Sequence, residues 1–114
     1  MANRYYLTLP DPQRARGSDP ALAFSAHGPD EFAAQLQDAL RRDALFARWR
    51  DAQEDPEAVD DALGVTDPLA TVSGDQRDLR IDLVATTSIP GSVLRHRLRL
   101  LAGNDWQLRD VTAG

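Results

Sequence analysis

The chain contains no cysteine and no lysine among its 114 residues. The absence of cysteine excludes a disulfide framework and any catalysis by a thiol. The absence of lysine means that all 13 basic residues are arginine, and aspartate outnumbers glutamate 15 to 3. This skew is typical of a bacterial genome of high G+C content, so we assign it no functional meaning.

Long apolar runs and an excess of positive charge are missing as well. No apolar segment approaches the ~20 residues of a membrane-spanning helix, and no secretory signal is recognisable at the N-terminus. The net charge of −5 argues against nonspecific binding to nucleic acid or to anionic membranes. We therefore expect a cytoplasmic protein whose partners are neither nucleic acids nor membranes.

Motifs for catalysis, metal binding or cofactor binding are not found, so the sequence predicts no metal and no cofactor. The segment Asp51–Asp67 carries seven acidic residues and no arginine. It lacks the ligand spacing and the central glycine of a calcium-binding loop. We interpret this segment as a solvated stretch around a helix end.

The C-terminal stretch Leu79–Val111 predicts three antiparallel strands. In Leu79–Thr87 apolar and polar residues alternate with a period of two, which indicates a strand with one buried face. In Val93–Ala102 three leucines and His96 alternate with arginines in the same way. The third strand begins near Trp106. Together these strands predict a meander, in which each strand pairs with the next.

Two turn motifs separate the predicted strands. Pro90 and Gly91 suit the two central positions of a turn, with Gly91 at positive φ. Gly103–Asp105 suits a three-residue hairpin loop. Folding the chain at these turns places the leucines on one face of the sheet. The opposite face then presents five arginines, which are Arg80, Arg95, Arg97, Arg99 and Arg109.

The N-terminal half predicts further strands and two helices. Arg4–Leu9 and Ala21–Ala26 alternate like strands, and Leu69–Ser73 could form another. Proline and two acids at the start of 29–50 mark a long helix. Asp43 falls near the centre of its apolar face, so either the helix breaks there or Asp43 pairs with an arginine, and we favour one helix. Asp55–Gly64 predicts a short helix.

These elements predict one α+β domain spanning residues 1–114. Its antiparallel sheet consists of the C-terminal three-stranded meander and one or two N-terminal strands. A long helix and a short helix pack on one face of that sheet, which is the usual way to bury the apolar side of an antiparallel sheet.

The arginine face is the strongest functional feature of the sequence. The guanidinium group recognises carboxylates and phosphates, and a sheet holds such groups rigidly. The face predicts a non-enzymatic interaction module that binds an acidic protein or a small anion through Arg80, Arg95, Arg97, Arg99 and Arg109. The alternative is an ordinary wet sheet face that neighbouring acids neutralise.

A second candidate surface consists of Leu45 and Trp49, which project away from the apolar face of the long helix. An exposed tryptophan is a frequent anchor for a protein partner or for a homo-oligomer. Alternatively, the predicted short helix covers both side chains.

A different function follows if the predicted sheet encloses a cavity. The register brings Asp110 near His96 on the inner face, and such a pair could transfer protons near neutral pH. Trp106–Val111 resembles the closing strand of cystatin-like and nuclear-transport-factor-2-like folds. That resemblance implies a curved sheet wrapped around a helix, often with a cavity. The alternative function is therefore a small-molecule-binding or catalytic cavity with His96 and Asp110 as its polar groups.

Overall fold

A computed structural model describes residues 2–114 and shows a four-stranded antiparallel sheet with helices on one face. The α+β class and the antiparallel sheet predicted from the sequence are confirmed. Two short 3-10 turns, Pro56–Ala58 and Asp61–Gly64, precede the second strand. In chain order the main elements are β1 Asn3–Leu9, α1 Pro29–Arg41, α2 Ala44–Asp51, β2 Thr71–Arg77, β3 Arg80–Thr87, α3 Gly91–Ala102 and β4 Gln107–Ala113.

The strand order in the sheet is β2-β3-β1-β4, and every neighbouring pair is antiparallel. The N-terminal strand β1 therefore lies inside the sheet, where Leu7 pairs with Leu83 of β3 and with Leu108 of β4. Helical segments connect β1 to β2 and β3 to β4. This β-α-β-β-α-β order is the split arrangement also called ferredoxin-like. A β-bulge beside Tyr6 and Leu7 leaves Arg109 without a partner residue on β1.

The core lies between the inner face of the sheet and the helices α1 and α3. Period two brings Tyr5, Leu7 and Leu9 of β1 to this face, and all three are buried. The Tyr5 hydroxyl donates to the carbonyl oxygen of Ile89 over 3.1 Å, which satisfies its polar end in the core. Each large apolar side chain buried here contributes about 1.5–3 kcal/mol. The other large core residues are Phe24, Phe32, Leu36, Leu40, Ile81, Leu83, Ile89, Leu94, Leu98 and Leu101.

The prediction of a strand in Val93–Ala102 was wrong, because this segment is part of the helix α3. Its sequence fits both periods. Leucines and arginines alternate, but the buried positions are Val93, Leu94, Arg97, Leu98, Leu101 and Ala102, which is helical spacing. Leucine, arginine and alanine all favour helices. The helix also crosses over β1, and this crossover is what connects β3 to β4.

The two predicted turns lie at the two ends of this helix instead of joining strands. Pro90 is the residue before the first helical turn, with φ −59°, and Gly91 begins the helix without a positive φ. The prediction of positive φ at Gly91 was therefore wrong. Gly103 ends the helix at φ +65°, a conformation that glycine adopts without steric cost.

Three further predictions need correction in the N-terminal half. The long helix breaks near Asp43 into α1 and α2, which was the less favoured alternative. The predicted short helix is replaced by the two 3-10 turns. Ala21–Ala26 is a loop rather than a strand, and its Phe24 N–H donates to the carbonyl oxygen of Leu101 over 2.8 Å. This loop therefore satisfies a carbonyl group at the end of α3.

The last strand does not close a meander. β4 pairs with β1 and lies at an edge of the sheet, whereas the resemblance to cystatin-like folds implied consecutive pairing with the preceding strand. The reason is again α3, which carries the chain past β1 before the final strand begins.

Candidate functional site

The five predicted arginines do not share one surface. Arg95, Arg97 and Arg99 belong to α3, whereas Arg80 and Arg109 belong to the sheet. A helix rotates successive side chains by about 100°, so residues two apart no longer point the same way. The single five-arginine sheet face was therefore a wrong prediction.

Arg97 lies in the interior and is only 1% exposed. Its guanidinium donates to the carbonyl oxygens of Ala39 at 3.1 Å and Leu63 at 3.2 Å, and also to that of Val65. No carboxylate pairs with it among residues 2–114. Burial lowers the pKa of Arg97 from its usual value, which reflects the cost of holding a charge in the core. Arg97 joins α3 to α1 and to the second 3-10 turn.

The sheet face that points away from the helices forms an open groove of about 540 Å³. Tyr6 of β1 and Val84 of β3 are register partners and lie in its middle. We refer to this surface as the open groove. Its polar lining comes from all four strands and consists of Thr8, Ser73, Asp75, Arg77, Arg80, Asp82, Arg109, Asp110 and Thr112.

One end of the open groove carries a cluster of charges. The carboxylate of Asp82 accepts a hydrogen bond from the Thr8 hydroxyl over 2.8 Å. Its oxygens lie 3.4 Å from Nε of Arg80 and 3.9 Å from Nε of Arg77. Both ion pairs are too long for strong hydrogen bonds, and the two arginine side chains are 49% and 63% exposed. The guanidinium groups therefore keep donors for another acceptor.

The other side of the open groove, beyond Tyr6, is formed by Arg109 and the end of β4. Arg109 sits at the bulge, and within residues 2–114 it makes no ion pair. The pKa of Tyr6 is lowered, first by a hydrogen bond with the Arg4 side chain and then by one with Thr112. The Tyr6 ring forms part of the groove floor.

His96 and Asp110 do not come together. His96 lies on α3 and packs edge-on against Trp49, with ring centroids 4.4 Å apart. Its pKa is lowered by burial and, to a smaller extent, by the charges of Arg97 and Arg99. Asp110 lines the open groove on the opposite side of the sheet. Its carboxylate accepts from the N–H of Val111 over 2.8 Å. The predicted His–Asp pair is therefore not formed.

The buried carboxylate beside the sheet is Asp67, a residue that sequence reasoning did not single out. It accepts hydrogen bonds from the Thr87 hydroxyl at 2.9 Å, the Ser88 N–H at 2.9 Å and the Leu69 N–H at 3.0 Å. These bonds, that from the Ser88 N–H first, outweigh burial and lower the pKa of Asp67. Asp67 fixes the loop that leads from β3 into α3, so its role is structural.

Leu45 and Trp49 are both half-buried. Leu45 packs against the main core, and the Trp49 ring contacts Phe46, with centroids 6.0 Å apart, as well as His96. The two side chains therefore present less apolar surface than the sequence suggested.

The residues that sequence reasoning missed at the open groove are chiefly Tyr6, Thr8 and Arg77. A signal for two of them exists, because the alternation in Arg4–Leu9 already separates Tyr6 and Thr8 from the buried side chains. Their proximity to Arg80 and Arg109 follows only from the position of β1 between β3 and β4.

Within the described part of the chain, no cluster of three or more histidines and acids could hold a metal ion. No helix of residues 2–114 has the length and apolar character needed to cross a membrane. Comparisons with protein-family models, with curated proteins and with solved structures produced no match.

Proposed function

We propose that this protein is a non-enzymatic binding module that holds an acidic protein segment or a small anion in the open groove. The observation that carries the proposal is the placement of Arg77, Arg80 and Arg109 around the Tyr6 and Val84 floor. These guanidinium groups belong to three different strands of one sheet, so their backbone positions are fixed before a ligand binds and only the side chains have to be ordered.

Two features favour an acidic ligand over a basic one. Arg109 has no acidic partner within residues 2–114, and the contacts of Arg77 and Arg80 to Asp82 are long. A carboxylate or phosphate entering the groove would therefore find unused donors. Asp75 and Asp110 also line the groove, and they would repel a ligand that is negative along its whole length. The best-fitting partner is an extended segment with isolated acids and apolar groups between them.

An amide NMR titration of the isotope-labelled protein at low salt tests this proposal. The titrants are phosphate, a nucleotide and a short acidic peptide with apolar spacers. We expect saturable shifts at Tyr6, Arg80 and Arg109, with the largest effect from the peptide, and weakening as salt is added.

A pair of double variants separates the groove from general charge effects. Arg80→Gln with Arg109→Gln removes two groove charges, whereas Arg95→Gln with Arg99→Gln removes two exposed charges of α3. Both variants change the net charge equally. Loss of binding only in the first supports the proposal, whereas equal loss in both, or no saturable shift in the groove with any titrant, would contradict it.

A further inference from the structure

The outer edge of β4 exposes backbone N–H and C=O groups that pair with no other strand of residues 2–114. The Gly114 N–H donates to the Ala2 carbonyl oxygen over 3.1 Å, so this pair is hydrogen-bonded. Hydrogen-bonded and non-hydrogen-bonded pairs alternate along an antiparallel ladder. The pairs Arg4–Thr112 and Tyr6–Asp110 are then also hydrogen-bonded. The N–H and C=O groups of Val111 and Ala113 consequently point away from β1.

The two edges of the sheet differ in their protection. At the start of β2, the Gln37 side chain accepts from the Val72 N–H over 3.0 Å, and the Arg41 side chain donates to the Ala70 carbonyl oxygen over 2.7 Å. Side chains of α1 therefore occupy the start of that edge. On β4 the corresponding contact is made by Asp110 alone, whose carboxylate accepts from the N–H of the next residue. Folded proteins usually cover or block such edges, since an open edge readily pairs with another strand.

We propose that β4 pairs antiparallel with β4 of a second copy of this chain, with Val111 at the two-fold axis. The outward-pointing groups of Val111 then bond to their own counterparts. In this register Asp110 lies opposite Thr112 of the second copy, and Arg109 lies opposite Ala113. A shift toward the start of β4 would place Asp110 opposite Asp110, which like-charge repulsion disfavours. A shift the other way shortens the paired segment.

The side chains on both faces suit this register. On the groove side, Asp110 faces Thr112 of the second copy, so the carboxylate meets a polar side chain rather than another acid. On the helix side, Val111, which is 44% exposed, is covered by its counterpart.

The β4 interface closes at two copies. The interface is isologous, because the same strand is used by both partners. The outer edges of the resulting eight-stranded sheet are the two β2 strands, whose starts are occupied by α1 side chains. Pairing also joins the two open grooves into one continuous face. The inference does not depend on the ligand proposed for the groove.

Sedimentation velocity from micromolar to millimolar protein tests this pairing, together with amide hydrogen exchange at both ends of that range. We expect a monomer–dimer equilibrium and slower exchange of the Val111 and Ala113 amides at high concentration. A monomer over the whole range would overturn the inference.

Val111→Pro is the decisive variant. It removes an N–H that takes no part in the β1–β4 ladder, so the monomer should fold, as circular dichroism can verify. We expect dimerisation to weaken at least ~10-fold, because two hydrogen bonds at the two-fold axis are lost. The control Val111→Thr keeps the N–H and a β-branched side chain and should dimerise nearly like the native chain.

The position of the exchange protection provides a second measurement. A dimer that persists in Val111→Pro, with exchange protection near Leu45 and Trp49 instead, would place the interface on α2 and refute the β4 pairing.

Discussion

Replacement of Arg97 by methionine is the most informative stability experiment on this fold. Arg97 is 1% exposed and donates to carbonyl oxygens of Ala39, Leu63 and Val65. The matching variant on the surface of the same helix is Arg95→Met, since Arg95 is exposed. Both substitutions remove one positive charge from α3, so the comparison isolates the effect of burial and of the three carbonyl contacts.

The expected magnitude is the difference of two opposing effects. A buried acceptor left without a donor costs ~1–3 kcal/mol, so three of them amount to about 3–9 kcal/mol. Taking the guanidinium out of water costs several kcal/mol, and the same burial lowers the pKa of Arg97. Methionine recovers that cost and fills much of the volume, but it leaves the carbonyl oxygens without donors. We expect Arg97→Met to lower the free energy of unfolding by about 3 kcal/mol.

Urea denaturation followed by circular dichroism measures this difference. Arg95→Met should change the free energy of unfolding by less than ~0.5 kcal/mol, as surface substitutions usually do. Arg97→Lys should fall between the two, because lysine keeps the charge but lacks the planar fork that reaches several carbonyl oxygens at once. If Arg97→Met is as stable as Arg95→Met, the carbonyl contacts contribute no more than desolvation costs, and the reasoning is refuted.

The other expectations concern a buried acid and a crowded glycine. The lowered pKa of Asp67 means that its stabilisation is present above the unfolded-state pKa and is lost as the pH falls through the folded-state pKa. Asp67→Asn should therefore lower the free energy of unfolding by about 2 kcal/mol at pH 7, and this difference from the native protein should disappear in acid. Urea denaturation at neutral and acid pH measures the difference, and a variant whose stability falls with pH as steeply as that of the native protein would contradict this expectation. A Cβ atom on Gly17 would lie 2.1 Å from the carbonyl oxygen of Leu100, whereas one on Gly28 meets nothing within 4 Å. Thermal unfolding should show that Gly17→Ala lowers the free energy of unfolding by ~2 kcal/mol, whereas the control Gly28→Ser changes it very little. Equal melting temperatures of the two variants would mean that the loop around Gly17 moves away from α3 at no cost.

Strands β1 and β3 and the start of α1 could be predicted from the sequence, because local signals agree there. Period-two alternation and β-branched or aromatic residues coincide in the strands. Proline and acids coincide at the start of α1. Where those signals agree, the local sequence favours one conformation and the tertiary structure adds only the direction of packing. The α+β class followed from these segments.

The segment Val93–Ala102 shows where local reasoning is insufficient. Its leucines and arginines satisfy the period of a strand, and its buried residues satisfy the period of a helix. Helix propensity favours α3, but the burial of Arg97 contradicts an apolar helix face. Only the fold supplies the three carbonyl oxygens that make this buried arginine acceptable, and they come from residues 32 to 58 positions away in the chain.

The open groove also depends partly on local sequence patterns and partly on the tertiary structure. Local patterns alone are enough to place Arg80 and Arg109 on strands, and the alternation in β1 is enough to point Tyr6 away from the core. Their assembly into one surface was decided by the insertion of β1 between β3 and β4. That pairing joins the first strand to residues near the other end of the chain, and hydrogen bonds between such distant segments leave no periodic signal in the local sequence.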